Sequence, residues 1–468
     1  MTADVDHMLA GELTVEVIET SSLGDRSYLA GDGEVAAVVD PQRDIDRVLA
    51  VAGRLGVRIA LVLETHVHND YVSGGLELAR LTGAEYALAA EDRAPFPHRG
   101  LRDGEVVEVS DRMRVRALAT PGHTFHHLSY VLDGAEGPVG VFTGGSLLFG
   151  TTGRTDLLGE RHSEELARRQ HASAHRLADL LPDGVQIWPT HGFGSFCSAT
   201  QSHADAATLG EQKQSNPALT LAEQEFVEQT LSGLDAYPAY YAHLGVRNTA
   251  GPAPLDLRKP DLAEPEELRR RLRAGEWVVD LRSRKAYVRS HLAGTVSLGL
   301  DGSMATWLGW MIDWGAPITV VGETSEQVAD AQRELARIGI DRLAAAAAGS
   351  PEDLAADPQQ VRGLDTATFT DLAAAWRGGT ARPAPEVVLD VRNPKEFEAA
   401  HVRDAVHIPL YELSGRVGEL PDGAVWVHCS SGYRAAAAAS LLERAGRAAV
   451  LIDDEFAKAA HAGVPVVG

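Results

Sequence analysis

Short apolar runs separated by polar turns dominate the first 210 residues. The runs at 36–40, 59–63, 106–109 and 139–142 read as strands, and helices are predicted at 44–55 and 163–181. Polar residues gather just after the strands, a pattern of alternating strand and helix. Residues 211–250 read as helical, and Thr249-Ala250-Gly251-Pro252-Ala253-Pro254 reads as a linker.

Beyond that linker the chain repeats itself. Asp280-Leu281-Arg282 recurs as Asp390-Val391-Arg392, and at the same offset Lys285 matches Lys395, Tyr287 matches Phe397 and His291 matches His401. Each copy opens on a strand (277–279 and 387–389) followed by a short helix, and has a second buried strand (318–321 and 425–428). Strands and helices at this spacing predict parallel sheets covered by helices on both sides. The alanine runs at 344–348 and 435–439 are predicted to be packed helices, because Ala is the best helix former. The 468 residues suit about three domains, placed at 12–250, 255–350 and 361–468.

Composition narrows the functions available. Asp and Glu total 66 against 43 Lys and Arg, a net charge of −23 that repels nucleic acid and anionic membrane. Two cysteines, Cys197 and Cys429, exclude a disulfide scaffold and a thiol-rich zinc finger. Residues 1–19 are acidic and do not read as a signal peptide, and no apolar stretch reaches the roughly 18 residues of a membrane span. The expectation is a cytoplasmic protein with free thiols that acts on small molecules.

The candidate chemistry begins with histidines. His66 and His68 alternate around Val67 at the end of a predicted strand, and Asp70 follows. Side chains two apart on extended backbone share a face, so two imidazoles can share one metal. Thr120-Pro121-Gly122-His123-Thr124 and Trp188-Pro189-Thr190-His191-Gly192 add imidazoles in the same strand-end setting. Imidazole and carboxylate suit zinc and non-haem iron, so one Fe(II) or Zn(II) is expected on His66, His68, Asp70, His123 and His191.

These loops resemble the signatures of the metallo-β-lactamase superfold. Phe142-Thr143-Gly144 and Gly153-Arg154-Thr155-Asp156 further resemble its persulfide dioxygenase and glyoxalase II branch. The resemblance implies an αββα sandwich with the metal at one edge of the two sheets. It also implies an iron held by two histidines, here His66 and His123, and one aspartate, with Arg154 near the substrate carboxylates. Two positions depart from the pattern: Gly145 stands where that aspartate is expected, and Tyr71 where a further histidine is expected. Losing the carboxylate removes the bridge between two metals. The remaining expectation is a three-histidine site of His66, His68 and His123, with Asp70 and His191 nearby.

The second chemical feature is Cys429-Ser430-Ser431-Gly432-Tyr433-Arg434, between a strand and a helix. Such a loop aims backbone N–H groups at one centre, and Arg434 adds positive potential, favouring a thiolate and an anion. The copy spanning 364–468 resembles a rhodanese domain, which implies sulfur transfer through a Cys429 persulfide. Asp453-Asp454 stand where many rhodaneses have a glycine pair. The earlier copy resembles the same fold but has Gly322 and Gln327 in place of the cysteine and arginine, and reads as structural, a spacer or dimer surface. Cys197 reads as a small buried hydrophobe.

The order of parts resembles bacterial fusions of persulfide dioxygenase with sulfurtransferase. The expected function is oxidation of a low-molecular-weight persulfide to sulfite, coupled to thiosulfate sulfur transfer through Cys429, in a possible homo-oligomer. The alternatives are a one-zinc thioester hydrolase joined to a sulfurtransferase, and a sulfane-sulfur carrier with a degenerate metal domain.

Overall fold

The computed structural model describes residues 7–10 by their backbone, and residues 13–192, 194–199, 206–378 and 385–468 in full. Of the N-terminal stretch read above, Met1–Asp6, Gly11 and Glu12 lie outside the described residues. The chain forms two compact units, Met1–Leu255 with Arg337–Gly339 and Asp256–Ala336 with Ile340–Gly468.

The first unit is built on two sheets. One runs in sequence order through seven strands, from His7–Ala10 to Arg99–Leu101. The other holds six, from Val106–Glu108 at one edge to Ala207–Thr208 at the other. Their inner faces meet in a core that includes Val15, Tyr28, Leu63, Val115, Phe142 and Trp188. Phe142 lies 4.7 Å from Trp188 and 5.3 Å from Tyr28, centroid to centroid. This apolar area removed from water drives the layering. Helices Asp46–Leu55 and Gly75–Thr82 pack through Val48, Val51, Leu76 and Leu78 on the outer face of the first sheet. Helix Ser163–Leu180 covers the second through Ala167, Ala174 and Leu177. The result is the αββα sandwich. Strands Val35–Val39, Arg58–Leu63, Arg114–Ala119 and Gln186–Pro189 are each followed directly by polar residues at the site, and strand Gly137–Gly144 by Gly145.

The second unit contains two parallel sheets. Four strands are ordered Val296–Ser297, Trp277–Asp280, Ile318–Gly322, Ala345–Ala348. Five are ordered Asp365–Ala367, Ala449–Ile452, Val425–His428, Val387–Asp390, Val406–His407. Asp280 pairs with Val321, and Asp390 pairs with His428, so both copies share one register. The alanine runs diverge. Ala435–Ala439 lie fully buried in helix Tyr433–Arg444 as expected, but 345–348 forms a strand. Its small side chains fill the space beside Val278, Leu292 and Val321, so tertiary packing overrides helix propensity. Among the described residues no helix is long and apolar enough to cross a membrane.

Each copy carries the same internal clamp. Arg282 donates from Nε to Asp280 at 2.9 Å and from Nη2 to Asp280 at 2.6 Å, then from Nη2 to the Ser290 carbonyl at 2.8 Å. Arg392 repeats this on Asp390 at 2.9 and 2.6 Å and on the Ala400 carbonyl at 2.7 Å. The two copies pack together within this unit. Trp310 stacks on Tyr411 at 4.3 Å, His291 meets Glu443 at 2.7 Å, and Ser440 accepts the Ser297 N–H at 3.0 Å.

Candidate functional site

At the sheet edge, Asp40 ends one strand and organises the next turns. Its carboxylate accepts the Thr65 N–H and hydroxyl, each at 2.7 Å, and the Thr190 hydroxyl. Asn248 holds the histidine loop from outside. It donates to the carbonyls of His68 and Tyr71 at 2.8 Å each, and accepts the Ser73 N–H at 2.9 Å.

His66, His123 and His191 converge, fully buried, with ligand atoms all within 4.8 Å of one another. Their Nδ1 partners settle how each ring is turned. Thr65 Oγ1 gives its proton to Asp40, so it accepts from His66 Nδ1 at 2.9 Å. His123 Nδ1 donates to the Arg154 carbonyl at 2.8 Å, and His191 Nδ1 to Asp25 at 2.9 Å. His66 and His123 therefore present an Nε2 lone pair, and His191 presents one once its Nε2 proton is displaced; His123 Nε2 is buried without a hydrogen-bond partner, and the Nε2 atoms of His66 and His191 are 3.4 Å apart. Such a set fits one divalent ion: three imidazoles oriented by outer hydrogen bonds are a zinc or iron donor set.

Electrostatics separates the rings. Burial and the neighbouring histidines push His66 and His123 well below the usual imidazole range, keeping their lone pairs free. Burial also works against charge on His191, but Asp70 and Asp25 overcome it and raise this ring to about 9. Burial and Asp70 push Asp25 up, while His191 holds Asp70 down against its own burial. The two carboxylates thus meet at His191 Nδ1, and an ion bound at Nε2 would leave that Nδ1–H in place.

His68 is held through its other ring nitrogen. This ring turns its Nε2 to Asp40 at 3.2 Å, Glu64 at 3.4 Å and the Tyr71 hydroxyl at 3.0 Å, and stacks on Tyr71 at 4.4 Å. Two buried carboxylates attract it, overcoming burial to raise it well above the usual range. His68 itself forms a second candidate group with Asp70 and His191: its Nδ1 lies 3.9 Å from Asp70 and, like the Asp70 carboxylate oxygens, is buried without a hydrogen-bond partner.

Gly145 is closed in. A Cβ there would stand 2.2 Å from His123 Cδ2, so this backbone has no room for the expected aspartate. Its N–H donates to His127 Nε2 at 3.1 Å, and His127 stacks on His66 at 5.1 Å.

Arg154 spends four of its five N–H donors inside the protein. It is 3% exposed, and pairs with Asp156 through Nε at 2.6 Å and Nη2 at 2.7 Å. It also donates to the carbonyls of Phe196 at 3.1 Å and Asp235 at 2.6 Å. A buried guanidinium needs such partners, and here they tie three segments together. Cys197 is 1% exposed beside it, as a small buried residue.

In the second unit, strand Val425–His428 delivers Cys429, 1% exposed, into the six-residue loop. Gly432 has φ +99°, which turns its N–H to Cys429 Sγ at 3.1 Å. Arg434 is paired with Glu396 through both terminal nitrogens, and Nη2 also reaches Ser430 Oγ at 2.9 Å. Burial alone would raise Glu396; Arg434 and Ser430 instead hold it down to about 2. Ser431 is exposed, and Tyr433 points away to donate to the Gly299 carbonyl at 2.9 Å. The earlier copy has Gly322 after the equivalent strand, and Gln327 accepts the Glu323 N–H at 2.7 Å.

Sequence reasoning missed Asp25, Glu64, His127 and Asn248 as parts of the site. It quoted Asp40 only as a strand end, the signal that marks the other site residues. Asp25 begins a strand and Asn248 lies in a helix, so neither carries a local signal.

A model of the Metallo-beta-lactamase superfamily matches residues 25–208, and a model of the Rhodanese-like domain matches 373–459. The mitochondrial persulfide dioxygenase ETHE1 of Bos taurus is 30% identical over 210 residues, 43% of this chain and 74% of that one. The hydroxyacylglutathione hydrolase of Pseudomonas entomophila is 30% identical over 211 residues, 40% of this chain and 78% of that one. The chain belongs to the metallo-beta-lactamase superfamily. Within the superfamily it is also similar to a metallo-beta-lactamase structure from Staphylococcus aureus. That match has 29% identity and a TM-score of 0.64, and covers 71% of this chain and 98% of the other. The rhodanese match falls on the copy that carries Cys429.

Proposed function

We propose that this superfamily member acts in sulfane-sulfur metabolism, oxidising a low-molecular-weight persulfide in its first unit and transferring sulfur through Cys429 in its second. The observation that carries this reading is the complete thiol loop, with an N–H aimed at Cys429 Sγ, on one chain with a buried three-histidine nest. In the transfer, Cys429 sulfur attacks the outer sulfur of thiosulfate. The S–S bond breaks, sulfite leaves with the electron pair, and Cys429 keeps a persulfide. A second nucleophile then removes the outer sulfur and restores the thiolate. The Gly432 N–H holds charge on the sulfur, and the Glu396–Arg434 pair fixes the loop that aims it.

In the first unit, one persulfide, one O₂ and one water give one thiol and one sulfurous acid. His66, His123 and His191 would hold iron, which supplies O₂ activation when bound. Asp25 and Thr65 orient two of these rings, and the buried walls exclude water. The closed space at Gly145 supports a single metal. Metal analysis with oxygen uptake tests this reading: iron-loaded protein should consume O₂ with a persulfide, and no uptake would overturn it.

The three-imidazole donor set favours one further reading, a one-zinc thioester hydrolase, because such a set without carboxylate is also that of zinc sites that activate water. Zinc content with thioester cleavage and no oxygen uptake would select it.

A further inference from the structure

The copy without a thiol reaches the Cys429 loop. A Cβ on Gly432, whose N–H meets Cys429 Sγ, would stand 3.0 Å from Arg284 Nε and 2.4 Å from Asp453 Oδ1. Arg284 belongs to the short helix after the first strand of the earlier copy, and Asp453 to the Cys429 copy. They are joined by Arg284 Nε donating to Asp453 Oδ1 at 2.8 Å. The same copy supplies Gly299, the acceptor for Tyr433, and Gly302, where a Cβ would stand 2.4 Å from the Tyr433 ring. Its Trp307 lies 5.7 Å from the Arg434 guanidinium.

The two arginines at the loop differ in what they have left to give. Arg434 spends its terminal nitrogens on Glu396 and Ser430. Arg284 uses Nε, and its two terminal nitrogens carry no hydrogen bond to any described residue. Its side chain is 27% exposed, so solvent and solutes reach it. Asp453 therefore acts as an anchor that fixes the guanidinium by one edge and leaves the outer edge open. A planar cation held this way suits an oxyanion.

We propose that Arg284 binds the anionic end of the sulfur donor at the mouth of the Cys429 loop, so the copy without a thiol contributes to substrate recognition. The ligand class is a small sulfur oxyanion, with thiosulfate as the probe. The proposal rests on the sulfur-carrier reading of Cys429, and assigns a use to Asp453, one of the residues that depart from the rhodanese glycine pair.

The test uses the full chain and two alkylating reagents of similar size, anionic iodoacetate and neutral iodoacetamide. Cys429 displaces iodide from either, and peptide mapping separates it from Cys197. Arg284→Gln should lower the iodoacetate-to-iodoacetamide rate ratio about tenfold, and raise KM for thiosulfate by a similar factor with a much smaller change in kcat. Arg284→Lys should keep most of the ratio. Asp453→Asn should raise it, a direction that misfolding cannot produce. An unchanged ratio and KM in Arg284→Gln would overturn the proposal. If wild-type protein transfers no sulfur from thiosulfate while its alkylation ratio still depends on Arg284, the anion site stands and the sulfur-carrier reading falls.

Discussion

Gly145 and Gly322 each stand where the resemblances read from the sequence led to the expectation of a functional side chain, and their surroundings differ. Around Gly145, His123 occupies the side-chain space, His127 accepts the backbone N–H, and His191 forms a nest with His66 and His123. Around Gly322 the space is taken by the loop itself: a Cβ there would stand 3.1 Å from Gln327 and 3.3 Å from the Thr324 carbonyl, and Gln327 serves the backbone of its own loop. One glycine lies against a buried histidine cluster and the other against its own loop. An absent residue therefore says little about function until the space around its position is inspected.

The largest test separates the two chemistries. Cys429→Ser should reduce thiosulfate-to-cyanide transfer to background and leave metal content at the wild-type value. The paired change His66→Ala with His123→Ala should do the reverse, taking bound metal from one equivalent to none while transfer persists. Assays of both quantities on each variant check this, and cross-effects would show that the units do not work separately.

Next in size is Gly145→Asp. An aspartate there should harm the nest: the new side chain must displace His123. Metal content should fall several-fold, and overpacking should cost about 1–3 kcal/mol, read by denaturant unfolding. A gain to two metals per chain would refute this.

A smaller effect is expected from re-arming the other glycine. Gly322→Cys with Gln327→Arg, in a Cys429→Ser background, should leave transfer at background. The position matching Glu396 is Ala286, and the one matching the left-handed Gly432 is Ser325, so neither the arginine nor the N–H would be set. Measurable transfer would mean that the scaffold alone suffices.

The smallest concerns acid stability of the intact loop. Glu396 titrates below its ordinary value, so its pairing contributes fully above about 4.5 and is lost as pH falls toward about 2. Glu396→Gln should flatten that acid limb in melting temperature measured against pH, and a wild-type limb of the same shape would exclude this pair as its source.

Much of this arrangement was legible in the sequence. Strand-end histidines, the duplicated Asp-x-Arg and the Cys-to-Arg loop are local patterns, and the fold placed them as those patterns imply. The outer partners of the histidines were not legible, because Asp40, Glu64 and Tyr71 meet His68 only through the fold. The partners of Arg154 were hidden for a related reason: a motif gives the residue but not the carbonyls it meets. The strand at 345–348 was hidden because alanine carries little preference that a buried sheet edge cannot overrule.

Asn248 carries a practical consequence. The superfamily match ends at residue 208, yet the side chain that fastens the carbonyls of His68 and Tyr71 lies 40 positions further on, in helix Tyr241–Ala250. A fragment cut where the recognisable signature stops would retain every histidine of the nest and lose its latch.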